Sequence, residues 1–260
     1  MKWCNQALAL FFFKLFFSLC VSADVISDTI GDATRTEVDR KADEYRKPDE
    51  SLRFFGVKPG DTVLDFFAGA GYYSELMANI VGSKGRVDVY NNRPYLDWIG
   101  TQLNARYSSK RMNNTRRLEL EVDDLDLGDK QYDVIVAAMA LHDVYYADPA
   151  NGWPMIDKDA LYKKFNRALK PGGSLIVIDH AAEAGSSLRD VQSLHRIDET
   201  YLINDLQQFG FKVAARSDVL RNGKDERKLS SFDEKIRYHT DRFMLKLVKV
   251  DNKQRSARAY

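Results

Sequence analysis

Apolar and polar positions alternate along this chain between short runs rich in apolar residues and longer stretches of helical spacing. The runs cover residues 62–66, 86–90, 118–122, 132–139, 175–179, 211–216 and 242–250. Each predicts a strand. Between them, residues 72–81, closed by Gly82, and residues 94–107 predict helices. Asp157 predicts the N-cap of a helix running to Lys170, where Pro171-Gly172-Gly173 stops it. A further helical region covers about residues 187–209 and ends at Gly210. Strands that alternate with helices in this way imply right-handed crossovers and a mostly parallel sheet. The unbroken run Val134-Ile135-Val136-Ala137-Ala138-Met139 suits a strand buried on both faces. No helix separates the last two runs, which predicts an antiparallel pair at one edge. The fold class read from this pattern is α/β: a doubly wound, mostly parallel seven-stranded sheet with an antiparallel last strand.

The segments flanking this alternation differ from it. Residues 1–23 have a basic start at Lys2, an apolar stretch from Ala7 to Leu19 and the small-x-small ending Val21-Ser22-Ala23. That is the pattern of a secretory signal peptide cut after Ala23. It predicts an exported protein, periplasmic or secreted. The other reading is a membrane anchor formed by residues 7–23, so membrane contact is expected only through this segment if it stays uncleaved. Residues 24–50 are polar, with helical spacing from about 34 to 45 that Lys47-Pro48 ends. They read as a leader helix beside a main domain at residues 51–250, and residues 251–260 as a loose basic tail.

Composition narrows the chemistry. Hydrophobic residues make up 44% and charged residues 30% of the 260, as in ordinary folded domains. Cys4 and Cys20 both lie in the leader, so the mature chain is expected to hold no disulfide, thiolate nucleophile or cysteine metal site. Loss of Lys2 and Lys14 takes the 39 basic residues to 37, against 38 acidic. No net positive charge remains to attract nucleic acid, and the expected partner is a small molecule. The sequence leaves the oligomeric state open.

The sharpest local signal is Val63-Leu64-Asp65-Phe66-Phe67-Ala68-Gly69-Ala70-Gly71, lying between a predicted strand and a predicted helix. Glycines there permit a tight turn and close approach of backbone to ligand. A phosphate-binding loop needs Gly-Lys-Ser/Thr, which is absent, and a nicotinamide loop needs a third glycine where Ser74 stands. An acidic residue at a strand end followed by spaced glycines remains. With Val122-Asp123-Asp124-Leu125 and Arg167-Ala168-Leu169-Lys170-Pro171-Gly172-Gly173 in register behind it, the chain resembles class I S-adenosylmethionine-dependent methyltransferases over roughly residues 51–250. Runs such as His195-Arg196-Ile197-Asp198 and Thr240-Asp241-Arg242-Phe243 are similar to those of a group of exported bacterial predicted methyltransferases.

The resemblance implies a Rossmann-like methyltransferase fold with S-adenosyl-L-methionine as cofactor. Carried over residue by residue, it implies a cofactor site of Asp65, Phe67, Ala68, Gly69, Gly71 and Tyr72. Asn91 and Asn92 at the end of the second strand would meet the ribose. Asp124 and Leu125 after the third would meet adenine, and Leu141 lies after the fourth. Two positions depart from the family pattern: Phe67 stands where the first glycine is usual, and Asn91 where an acidic residue is usual.

In open α/β sheets ligands bind beyond the carboxyl ends of the strands. That selects His142 and Asp143 after the fourth strand, Asp179 and His180 after the fifth, His195 in the next connection and His239 before the last strand, all four histidines on one rim. Transfer to an oxygen or nitrogen is aided by a base working near neutral pH. His142 or His180 is the expected base, oriented by Asp143 or Asp179, with Tyr145 in a loop that can cover the substrate. Histidines with a carboxylate can also hold zinc or iron, but no tight His-x-x-x-His spacing occurs, and no metal ligand is assigned. Two classes of function stand at this point. One is a methyltransferase acting on a small-molecule oxygen or nitrogen nucleophile. The other is an exported, non-catalytic or repurposed ligand-binding protein on the same fold.

Overall fold

In the computed structural model, which describes residues 25–108, 111–186 and 188–250, the seven apolar runs pair into one sheet. The expected leader cut and the tail at 251–260 lie outside the described residues. The strands are β1 (Thr62–Phe66), β2 (Arg86–Asn91), β3 (Thr115–Glu119), β4 (Tyr132–Ala138), β5 (Leu169–His180), β6 (Phe211–Ser217) and β7 (Arg242–Lys249). Their order is β3-β2-β1-β4-β5-β7-β6. The first five run parallel, while β7 is antiparallel to both β5 and β6. This is the doubly wound sheet expected, with its antiparallel strands at one edge.

Alternate side chains of the central strands pack into two separate cores, one on each face. Leu64 and Phe66 of β1, Ile135 and Ala137 of β4, and Leu175 and Val177 of β5 enter one core. Val63, Val134, Val136, Ile176 and Ile178 enter the other. Continuous apolar runs follow directly, since neither face of a central strand meets water. Each fully buried aliphatic side chain of this kind contributes about 1.5–3 kcal/mol by leaving water.

Helices cover both faces: α1 (Glu37–Arg46), α2 (Pro48–Phe55), α3 (Tyr72–Val81), α4 (Arg93–Ile99), α5 (Gln102–Ser108), α6 (Lys158–Ala168), α7 (Leu188–Leu194) and α8 (Glu199–Gln208). Thr36 caps α1 through the Asp39 amide, and Asp157 caps α6 through Ala160. Lys47 ends α1 in the left-handed region, and Pro48 then opens α2, where its missing N–H costs nothing. Among the described residues no helix is long and apolar enough to cross a membrane.

Four expectations need correction. The third strand lies three residues earlier than read, leaving residues 122–124 in a turn. The single helix at 94–107 is two helices, because Gly100 turns out of helical geometry at φ 56° and ψ −126°. Pro171-Gly172-Gly173 does stop α6, but within β5 rather than in a turn before it; a register shift between Tyr132 and Val134 absorbs the extra length. The helical region at 187–209 breaks at His195, which is left-handed at φ 50°, before Asp198 caps α8.

Candidate active site

The turn from β1 to α3 is left-handed at Phe67 (φ 51°), Gly69 (φ 57°) and Gly71 (φ 80°). Only glycine adopts that region without a steric cost, so Phe67 is held there against its preference. Its ring supplies the compensation. It lies 4.3 Å from the Tyr95 ring, nearly parallel at 12°, and packs on Phe66 and Tyr90 as well. The Gly69 side of the turn stays open: a Cβ built there meets nothing within 4 Å. Gly71 is closed in, with Leu103 and Arg106 at 3.1 and 3.2 Å from such a Cβ.

Asp65 ends β1 and is buried, accepting a 2.5 Å bond from the Ser74 hydroxyl. Burial pushes its carboxyl up to about 7, and the Ser74 bond only partly offsets that. Asp65 therefore organises the turn from behind. Asn91 does so from the side: its Oδ1 accepts from the Gly69 amide at 2.9 Å and its Nδ2 donates to the Gly69 carbonyl at 3.0 Å. Asn92 caps α4 through the Tyr95 amide. Both amides expected at a ribose thus hold backbone instead. The Tyr72 hydroxyl donates to Asp43, and Leu125 and Leu141 are core residues. Ala68 is partly exposed and its amide donates to the Tyr90 carbonyl. Asp124 is exposed in the turn after β3.

These residues fit a nucleoside cofactor with part of the expected contact set reassigned. Space lies beside the Asn91-held Gly69 backbone, and the Asp124 carboxylate is exposed to accept a bond. At the β2 end, the buried Tyr90 hydroxyl has no hydrogen-bond partner among the described residues, which makes it an unspent donor beside the turn.

At the carboxyl ends of β4 and β5 the structure joins residues far apart in sequence. His142 is buried, and its Nδ1 lies 2.6 Å from Asp179 Oδ1 while Asp179 Oδ2 accepts from the His142 amide at 2.9 Å. Its Nε2 lies 3.2 Å from Asp143 Oδ1. The same oxygen is 3.4 Å from His195 Nδ1, and Asp143 Oδ2 accepts a 2.6 Å bond from the Tyr95 hydroxyl. Burial works against a charged His142 ring, but Asp143 and Asp179 outweigh it and hold its pKa well above the ordinary histidine value. Burial would also raise Asp143, yet His142, His195 and Tyr95 hold it low.

His142 with Asp179 and Asp143 is thus a real constellation, joined by His195. His180 stands apart from it chemically. Its Nδ1 is 2.7 Å from the Thr240 hydroxyl, its ring is 5.6 Å from His142, and burial followed by the charge of His142 pushes its pKa well below normal. Of the four histidines expected on this rim, His142 and His195 share Asp143, while the His239 ring lies 6.3 Å from the Tyr45 ring. Tyr145 faces away: it donates to Asp205 at 2.6 Å and accepts from Tyr162. Its neighbour Tyr146 is the residue that packs on His195, at 4.6 Å. Tyr95, which bridges the Phe67 stack and Asp143, carries no sequence signal of this role.

Known proteins supply the remaining comparison. The model of a methyltransferase-domain family matches residues 39–216. The ubiquinone/menaquinone biosynthesis C-methyltransferases of Shewanella sp. (strain W3-18-1) and Shewanella baltica (strain OS155) are each 28% identical over 202 residues, 77% of this chain and 69% of theirs. Among solved structures, the SAM-dependent methyltransferase of Aquifex aeolicus superposes with a TM-score of 0.54 at 20% identity, over 80% of this chain and 98% of that one. Aeropyrum pernix fibrillarin, solved with natively bound S-adenosyl-L-methionine, gives a TM-score of 0.50 at 16% identity, over 80% and 76%. At such identities the structures attest the fold, and the family model, spanning more than half of the chain, attests the kinship. The chain belongs to the methyltransferase-domain family and has the class I methyltransferase fold.

Proposed function

We propose that this enzyme methylates a small molecule whose nucleophilic atom becomes reactive on losing a proton, and that the His142–Asp143–His195 cluster is where that proton is lost. The observation that carries this reading is the buried His142 ring, fixed by Asp179 at 2.6 Å on the rim beyond β4 and β5. When bound, the cofactor supplies an electrophilic methyl group on a sulfonium. Gly69, Tyr90 and Asp124 would hold it. The protein's own task is to align the nucleophile with that methyl and to exclude water. Tyr95 ties the two halves together, since its ring stacks on Phe67 of the glycine turn while its hydroxyl bonds Asp143 of the cluster.

The nucleophile is an oxygen or nitrogen. The Shewanella relatives are named as C-methyltransferases, and a phenol reconciles the two, because loss of its hydroxyl proton activates the oxygen and the ring carbons alike. The Tyr146 and Trp153 rings, 5.8 Å apart beside His195, offer a phenolic ring aromatic neighbours. Residues 1–23 favour an exported location for this reaction.

The test is calorimetric titration of the full chain with S-adenosylmethionine and with its demethylated product. Binding of the product near micromolar, little changed in His142→Ala, is the expected result. It separates the cofactor end from the cluster. No heat from either ligand, with the chain folded by circular dichroism, would overturn the reading.

A further inference from the structure

We infer that His142, Asp143 and His195 form a binding site for a first-row divalent cation of the zinc or iron(II) class. One nitrogen or oxygen from each of these three side chains lies within 4.8 Å of the others. In a tetrahedral site with bonds of ~2.0–2.1 Å, neighbouring ligand atoms stand about 3.3–3.4 Å apart. His142 Nε2 to Asp143 Oδ1 is 3.2 Å, and Asp143 Oδ1 to His195 Nδ1 is 3.4 Å. Two edges of the polyhedron are already set. His195 is the least buried of the three, with 19% of its side chain exposed, and the third edge is no longer than 4.8 Å.

The surroundings have the form that metal ligands require. A ligating imidazole needs its second nitrogen fixed by an acceptor, which sets the tautomer and turns the other nitrogen toward the metal. Asp179 does this to His142 Nδ1 at 2.6 Å, leaving Nε2 for the cation. A ligating carboxylate needs its second oxygen held, and the Tyr95 hydroxyl holds Asp143 Oδ2 at 2.6 Å. Charge points the same way. Two carboxylates, Asp143 and Asp179, face one buried imidazole, and among the described residues neither accepts a bond from lysine or arginine. A divalent cation with neutral histidines balances them.

Three protein ligands leave a position open, as in catalytic rather than structural sites. Two histidines and one carboxylate suit zinc or iron(II), not magnesium or calcium, which prefer all-oxygen shells. For the function proposed above, a cation there would lower the pKa of a substrate oxygen bound at the open position, whose proton would then pass to solvent water. That role rests on the proposed reaction, but binding of the cation does not.

The test uses zinc chloride alone on the full chain stripped with chelator, followed by calorimetry, with cobalt(II) absorption as an independent readout of a tetrahedral site. One zinc per chain is expected, with affinity below micromolar. His195→Ala is expected to weaken it by at least about 100-fold and Asp179→Asn by about 10- to 100-fold, while His239→Ala on the far side of Thr240 leaves it unchanged. His195 is partly exposed, so its variant stays folded even where a change at the buried His142 does not. Failure to bind one zinc per chain, or equal binding in wild type and His195→Ala, would sink the inference. If zinc fails while the cofactor product binds, only the cation falls and the methyl-transfer reading stands.

Discussion

Asp65 shows how one residue of a binding turn can serve the fold more than the ligand. A buried carboxylate near the end of β1 is expensive to ionise even with Ser74 bonding it and Arg46 nearby, and burial lifts its pKa to about 7. Unfolded, the same group titrates near ~3.9. Between those values the folded state keeps a proton that the unfolded state has released, so stability falls as pH rises from about 4 to about 7 and then levels. The sign is the reverse of the usual paired carboxylate. Across that range the loss amounts to roughly 4 kcal/mol. In Asp65→Asn that slope is removed. Urea midpoints measured at pH 4.5 and 7.5 should therefore diverge between variant and wild type, and parallel shifts would show that Asp65 ionises freely. Phe67 obeys a different balance. Its left-handed backbone costs about 1–2 kcal/mol, less than burial of a stacked aromatic ring returns, and this is why a phenylalanine persists at a position suited to glycine.

At the scale of elements, the β1–α3 turn is held by its neighbours more than by its own glycines. Asn91, from the end of β2, takes both the amide and the carbonyl of Gly69. Asn91→Ala leaves two buried backbone groups unpaired, which costs about 1–3 kcal/mol, and frees the turn. A lower urea midpoint together with weaker binding of the demethylated cofactor is the expected pair of results; unchanged binding would mean the turn is rigid without the clamp.

Elements also mark how far the sequence could be read. Buried strands announced themselves through unbroken apolar runs, and β1 and α3 begin and end where the pattern places them. The edge strand β3 did not. It carries Arg116 and Arg117, and Arg116 reaches across to bond buried Asp88 at 2.7 Å, so its polarity disguised it and drew the assignment toward Leu118 and Leu120. The break at Gly100 was legible in principle, since an isolated glycine weakens a helix. The break at His195 was not, because left-handed histidines, though more frequent than most side chains there, are too uncommon to mark a bend. The candidate site was visible only in part for the same reason. His142 and Asp179 follow from strand ends and topology, whereas the approach of Tyr95 and His195 to Asp143 depends on contacts 48 and 52 residues apart in sequence.

Across the whole molecule, Arg106 is the point where separate parts are fastened. Its guanidinium donates to the Ala70 carbonyl in the glycine turn at 2.7 Å, to Glu75 of α3 at 2.6 Å and to Asp39 of the leader helix at 2.8 and 2.9 Å. All three side chains are largely buried, so losing the cation strands the Asp39 carboxylate and leaves Glu75 to its pair with Arg111. Arg106→Met should cost about 3–5 kcal/mol by denaturant unfolding, and a loss below 1 kcal/mol would show that the leader helix is fastened elsewhere. The placement of β7 has a different kind of consequence. This last strand sits between β5 and β6, so a chain emerging from the ribosome has an empty slot in its sheet until residue 249 is out. Until then two strand edges lie open to pairing with other chains. Nascent chains stalled before Arg242 would be prone to aggregate, and would be handled by chaperones rather than left to fold in domains as synthesis proceeds.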